Sequence, residues 1–139
     1  MQFNNLKRAC LLFFILITIT VAFKAFAQQQ GEPIYTAVEK SAIYPGGLDA
    51  LYRYIGSNIH YPQEARIKGV SGAVFITFVV EKDGSLDNFK VLRGIGFGCD
   101  EEALRVLQSS AKWTPGEQNG KAIRQQYTIP IRFKLGGKN

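Results

Sequence analysis

Near the C-terminus, Tyr127, Ile129, Ile131, Phe133 and Leu135 alternate with Thr128, Pro130, Arg132 and Lys134. A period of two puts the apolar set on one face and the polar set on the other, as in a half-buried β-strand. Pro130 stands in the middle of this pattern. Proline has no N–H to give to a ladder, so within sheets it belongs on an edge with its nitrogen directed outward. Gln125–Leu135 is therefore expected to be an edge strand, with Pro130 and the other even-numbered residues turning their backbone groups away from the sheet. Such an edge is a template for another strand, and proteins normally blunt it.

The rest of the chain supplies what this strand packs against. Ala73 to Val80 is apolar at every position but Thr77, which suits a central strand covered on both faces. Asp83-Gly84 marks a hairpin turn. In the return strand Leu86 is out of phase with Phe89 and Val91, which predicts a bulge or bend at Asp87-Asn88. Leu48, Leu51, Ile55 and Ile59 recur at helical spacing over about Gly47 to Ser57, and "YPQEARIKG" reads as a short second helical turn. Ala103, Leu104, Leu107 and Ala111 stripe a further helix that Asp100 can cap. "TPGEQNGKA" reads as a loop.

The order helix, strand, strand, helix, strand predicts an α+β fold. Its sheet is small, three-stranded and antiparallel, with two main helices on one face. The first strand of the hairpin is central and the last strand lies beside it, in order 2-1-3. Val74, Phe75, Ile76, Phe78, Val80, Leu51, Ile55, Leu104, Leu107, Trp113, Ile129 and Phe133 are the expected core.

Ahead of this domain the chain has a different character. "MQFNNLKR" is polar and basic, Ala9 to Phe23 carries no charge, and Ala25, Phe26 and Ala27 suit a small-residue cleavage site. These are the parts of a secretory signal peptide. The alternative is a retained membrane anchor, although the run is short of the roughly 20 apolar residues of a span. Either reading places the rest of the chain outside the cytoplasm. The organisation expected is residues 1–27 as signal or anchor, 28–42 as a short linker and 43–139 as the domain. Without residues 1–27 the formal charge falls from +6 to +3, because Lys7, Arg8 and Lys24 leave. That excess is too small and scattered for nucleic-acid binding, although the segment from Lys112 onward is locally basic.

Catalytic parts are scarce. His60 is the only histidine and reads as a surface or capping residue. Cys99 has no partner once Cys10 leaves, and reads as a small buried residue near a helix start. Asp100, Glu101 and Glu102 read as helix-end acids. Gly94, Gly96 and Gly98 are spaced G-x-G-x-G with no lysine of the phosphate-binding type after them, and read as a strand-to-helix turn. Trp113 is a packing residue. No metal, cofactor or catalytic site is expected, and the unusual asset is the strand edge, which suits recognition by strand addition.

Several motifs occur in an order that resembles a known family. They are "YPGG" at Tyr44–Gly47, "YPQEARIKGVSG" at Tyr61–Gly72, "FITFVVEKDG" at Phe75–Gly84, "GCDEEALRV" at Gly98–Val106, "WTPG" at Trp113–Gly116 and "YTIPIRF" at Tyr127–Phe133. Tyr44 to Leu135 thus resembles the C-terminal domain of TonB-type energy transducers, in the form abundant in Bacteroidetes. The resemblance implies a periplasmic domain that pairs its last strand with the TonB box of an outer-membrane receptor. Combined with the edge argument, it assigns partner binding to Arg124, Gln125, Gln126, Tyr127, Thr128, Ile129 and Arg132, with pairing concentrated on Arg124–Thr128.

Two departures from the family pattern stand out. Residues 1–27 hold no histidine to couple to a proton-driven inner-membrane motor complex. The Gln28–Ala42 lead-in, about 50 Å long at roughly 3.3 Å per residue, replaces a long proline-rich segment. The readings are a periplasmic binding module of TonB-dependent transport, an inner-membrane-anchored transducer with a short connection, or an interaction or assembly protein unrelated to a receptor. A free edge also predicts a weak homodimer through Gln125–Leu135.

Overall fold

Strand β2, Gly72–Val80, is the apolar centre of the sheet, and its run of valine, isoleucine, threonine and phenylalanine favours extended backbone. The computed structural model describes residues 31–136. The reading of residues 1–27 as signal or anchor lies outside them. Among the described residues no helix is long and apolar enough to cross a membrane. The compact unit Pro33–Asn139 contains, in chain order, β1 (Ile34–Tyr35), α1 (Gly47–Asn58), α2 (Gln63–Ile67), β2, β3 (Leu86–Arg93), α3 (Cys99–Gln108), β4 (Gly116–Gln118) and β5 (Lys121–Phe133).

The strand order is β1-β5-β2-β3, with β4 paired to β5 off this path. The α+β class holds, and β2 lies between β3 and β5 as the 2-1-3 order requires. The three-stranded sheet, however, is enlarged to five strands by two short additions. Tyr35 runs parallel beside Gln125, and Ile34 beside Arg124. The segment read as a loop is in part the β4–β5 hairpin, with Gly116 opposite Ile123 and Gln118 opposite Lys121. Asn119 and Gly120 both have positive φ, 51° and 71°. Two such residues form the turn whose twist matches a tight hairpin.

The lead-in is likewise part of the fold from Pro33 onward. Lys40 and Glu117 exchange backbone hydrogen bonds of 3.2 and 2.8 Å, and Ile43 and Thr114 exchange bonds of 2.9 and 2.8 Å. Between them the buried amide of Ala42 donates to Gln125 Oε1 at 2.6 Å. The second half of the expected linker is therefore a strap across β4 and β5.

The core lies between one sheet face and the helices. The even positions of β2 (Val74, Ile76, Phe78, Val80) and the odd positions of β5 (Ile129, Ile131, Phe133) meet Leu51 and Ile55 of α1 and Cys99, Ala103, Val106 and Leu107 of α3. Spacing of i, i+4, i+7 and i+8 is the inward stripe of a surface helix. Several residues expected on the helix stripes or in the core fall outside it. Leu48 is half exposed. Ala111 is exposed because α3 ends at Gln108. Leu104 is only partly buried, with Val106 fully buried instead. Phe75 is partly buried, on the opposite sheet face beside Pro130.

An aromatic cluster closes one end of the core. Trp113 packs edge-on against Tyr127 at 5.2 Å, Phe78 at 5.4 Å and Tyr44 at 5.8 Å. The β2–β3 turn docks on the same residue, where Trp113 N–H donates to the Gly84 carbonyl at 2.8 Å. Only glycine fits there: φ is +82°, and a Cβ would lie 1.9 Å from the Trp113 carbonyl oxygen.

Phe78 has no exposed surface and contacts Trp113, Phe89 and Tyr127. Phe78→Ala is expected to cost about 3–5 kcal/mol, measured by denaturant unfolding. A loss below about 1 kcal/mol contradicts this assignment of strand faces.

Candidate partner-binding edge

The sheet has two long margins, and they are built differently. β3 carries two register irregularities against β2, one between Phe75 and Ile76 and one between Thr77 and Val79. The second places the extra residue near Asn88, whose φ is +52°, as the phase break in the sequence predicts. Bulges bend a strand and disrupt regular pairing, one of the means by which edges are protected. β5 instead pairs with β2 through nine consecutive residues without a shift, from Gly72 opposite Phe133 to Val80 opposite Gln125.

That unbroken register carries the consequence of Pro130 along the whole strand. Pro130 faces Phe75 and has no N–H to offer it, so this pair is of the non-hydrogen-bonded kind. Pairs of the two kinds alternate in an antiparallel ladder. Gln126, Thr128 and Arg132 share the parity of Pro130, and their N–H and C=O groups point away from β2. Tyr127, Ile129 and Ile131 point theirs toward it. Among the described residues, β1 and β4 reach β5 only as far as Gln125. The outer margin from Gln126 to Phe133 has no partner strand there.

The residues assigned to partner binding divide accordingly. Gln126, Thr128 and Arg132 have exposed side chains and outward backbone groups. Ile129 is 2% exposed, and the ring of Tyr127 lies in the aromatic cluster, so both support the strand from inside. Gln125 is buried and holds the Ala42 amide. Arg124 differs most from expectation. Its guanidinium donates to both carboxylate oxygens of Glu81 at 2.8 Å, and Ile34 lies beside its backbone. The open margin therefore begins at Gln126, and the expected concentration of pairing on Arg124–Thr128 meets β1 at its first position.

Arg132 and Lys134 remain as exposed cations of the margin. With Ser71, Gly72, Ala73 and Phe133 they line an open depression of about 330 Å³ where β2 begins and β5 ends. The small side chains of Ser71 and Ala73 leave this hollow. Neither it nor the Arg124–Glu81 pair is visible in local sequence patterns, because each joins residues far apart in the chain.

The residues considered for chemistry sit in structural roles. Cys99 is fully buried, and burial, followed by the neighbouring Asp100 and Glu101 charges, raises its thiol pKa. A neutral buried thiol is a poor nucleophile. Asp100 does not cap its own helix. Gly98 occupies the cap, and the Asp100 carboxylate accepts from the Ile95 amide at 2.9 Å and the Gly96 amide at 3.3 Å. The glycine-rich turn is thus wrapped round a carboxylate, which leaves no cradle for a phosphate. Gly94 permits the approach, since a Cβ there would lie 2.1 Å from Asp100 Oδ2. Among the described residues, no group of three or more histidine, cysteine, aspartate or glutamate side chains is placed to hold a metal ion.

The fold and margin define a class: a small α+β domain with one bulged edge and one regular, partly open edge. The chain belongs to the family of Gram-negative bacterial TonB protein C-terminal domains, whose model matches residues 57–135, more than half of the 139 residues. Proteins of this family are not enzymes. The chain is 31% identical over 75 residues to Protein TonB of Pseudomonas aeruginosa, covering 54% of this chain and 22% of that protein. It is 29% identical over 82 residues to Protein TonB of Helicobacter pylori, covering 58% of this chain and 27% of that protein. It therefore spans about a quarter of the length of these relatives. Two solution structures of the Helicobacter pylori TonB C-terminal domain, both 26% identical, superpose with a TM-score of 0.50. Both cover 66% of this chain, and they are matched over 96% and 82% of their own lengths.

In a non-enzymatic domain the acidic residue beside the lone histidine has a stabilising role. Glu102 accepts from the His60 amide at 2.6 Å and from Arg105 at 2.7 and 2.8 Å, tying the end of α1 to α3. The Arg105 hydrogen bonds lead in lowering its pKa from 4.5 to about 2, against an opposing effect of burial. A depressed folded-state pKa gives stability that is present above pH 4.5 and lost as pH falls toward 2. Glu102→Gln is expected to destabilise the domain at pH 7 and to show a shallower loss of stability between pH 4.5 and 2 than the parent. Parallel curves for parent and variant across that window contradict this.

Proposed function

We propose that the outer margin of β5 takes an extended peptide as an added strand, and that this peptide is the TonB box of an outer-membrane receptor. In this reading the protein is a periplasmic binding module of TonB-dependent transport. The carrying observation is the set of outward backbone groups at Gln126, Thr128 and Arg132, on a strand held in unbroken register with β2. Main-chain hydrogen bonds then supply affinity, and alternate side chains supply register.

Family membership supports the choice of partner, because the relatives matched over this region are TonB proteins. The uncharged run from Ala9 to Phe23 supports a location outside the cytoplasm, reached with a cleaved signal peptide or with an inner-membrane anchor. Arg132 and Lys134 are the cations next to the margin, in place of the engaged Arg124, and they suit a partner peptide with an acidic residue at that end. As exposed charges each contributes at most about 1 kcal/mol.

Thr128→Pro tests the reading. It removes an outward N–H in the middle of the margin and leaves the inward ladder to β2 in place. A synthetic peptide carrying a receptor TonB box is expected to bind the variant at least tenfold more weakly than the parent, with melting temperature lowered by no more than about 8 °C through loss of the 3.2 Å hydrogen bond between the Thr128 and Thr77 hydroxyls. Equal binding to both proteins means that β5 is not the docking strand.

A further inference from the structure

Strand β1 covers the first position of the same margin. It is two residues long, its side chains are exposed, and it pairs only with Arg124 and Gln125. A denser set of contacts follows it. Glu39 accepts from the Asn119 amide at 3.1 Å, Lys40 pairs with Glu117, and Ala42 is held by Gln125. β1 is thus a two-residue pairing that precedes a segment anchored from Glu39 onward. Thr36, Ala37 and Val38 separate the two, and none of the three lies in a strand or helix.

An incoming peptide has a reason to compete for that place. Of the outward donors, Thr128 and Arg132 lie clear of β1 on either side of the gap at Pro130, while the parallel pairing of Tyr35 with the inward-facing Gln125 takes up the Gln126 amide. Arg124 shares their parity and would make a third. Its backbone is beside Ile34, while its side chain is engaged with Glu81 and stays in place.

We propose that β1 is a displaceable strap over the docking margin, which a partner strand pushes aside to pair from Arg124 onward. The proposal rests on the reading of β5 as the docking strand. A strap that occupies the site most of the time lowers the apparent affinity by the fraction of molecules in which the site is open. Holding β1 by two exposed residues makes this a modest factor.

The test uses the full chain carrying Ile34→Pro and Tyr35→Pro together, which removes both N–H donors of β1. Neither residue contributes to the core. The probe is the same synthetic TonB-box peptide. Binding is expected to be about three- to tenfold tighter than in the parent, with melting temperature unchanged within about 2 °C. In the parent saturated with peptide, the Tyr35 amide is expected to exchange with solvent faster than in the free protein. Peptide binding of equal strength to parent and variant, or a Tyr35 amide as protected in the complex as in the free protein, overturns the strap and leaves the docking margin standing. If neither protein binds the peptide, the docking reading fails and the strap fails with it.

Discussion

The N–H that Pro130 lacks sets the orientation of the structure. A ladder cannot tolerate that gap on its inner side, so Pro130 turns outward, and the two-residue period of the strand fixes every other residue of β5. Tyr127, Ile129 and Ile131 must then hold β2, and the same parity places the side chains of Ile129, Ile131 and Phe133 in the core. Had Pro130 faced β2, both the hydrogen bonding and the burial of the strand would have been inverted. One residue therefore couples the packing of the domain to the direction in which its unused backbone groups point.

The two margins of the sheet show how an edge is suppressed or kept. β3 is bulged twice, and Leu92, within its first irregularity, is half exposed without forming a regular pairing surface. β5 is straight in register, and what limits it is local: a missing donor at Pro130, charges at Arg132 and Lys134, and β1 at Arg124. These features make promiscuous pairing less favourable without abolishing the template. The lead-in segment adds the third constraint, since the buried Gln125 side chain ties it to β5 at the start of the margin.

Much of this was legible in the sequence because it depends on local period. The alternation around Pro130, the Asp83-Gly84 turn and the phase break at Asn88 each sit within a few residues. They gave the strand order and the bulge. The parts that were not legible depend on distant partners. β1 has two residues, too few to show a period, and its pairing spans some ninety positions. Arg124 and Gln125 read as partner-binding residues because Glu81, which pairs with the one, and the Ala42 amide, which is held by the other, are distant in sequence. Asn119-Gly120 reads as part of a loop and not as a hairpin turn, because Gly116–Gln118 offers no apolar alternation to mark a strand. Leu48 and Ala111 lay at helix ends, where the periodic pattern extends past the segment that packs.

Amide hydrogen exchange along β5, in the free protein and with a receptor TonB-box peptide bound, tests the central claim most directly. Inward amides of Tyr127, Ile129 and Ile131 are predicted to be protected in both states. Those of Thr128 and Arg132 are predicted to exchange readily in the free protein and to become protected in the complex. Protection appearing on the outer side of β3 with no change at Thr128 and Arg132, or rapid exchange at Tyr127 and Ile129 in the free protein, would contradict the account.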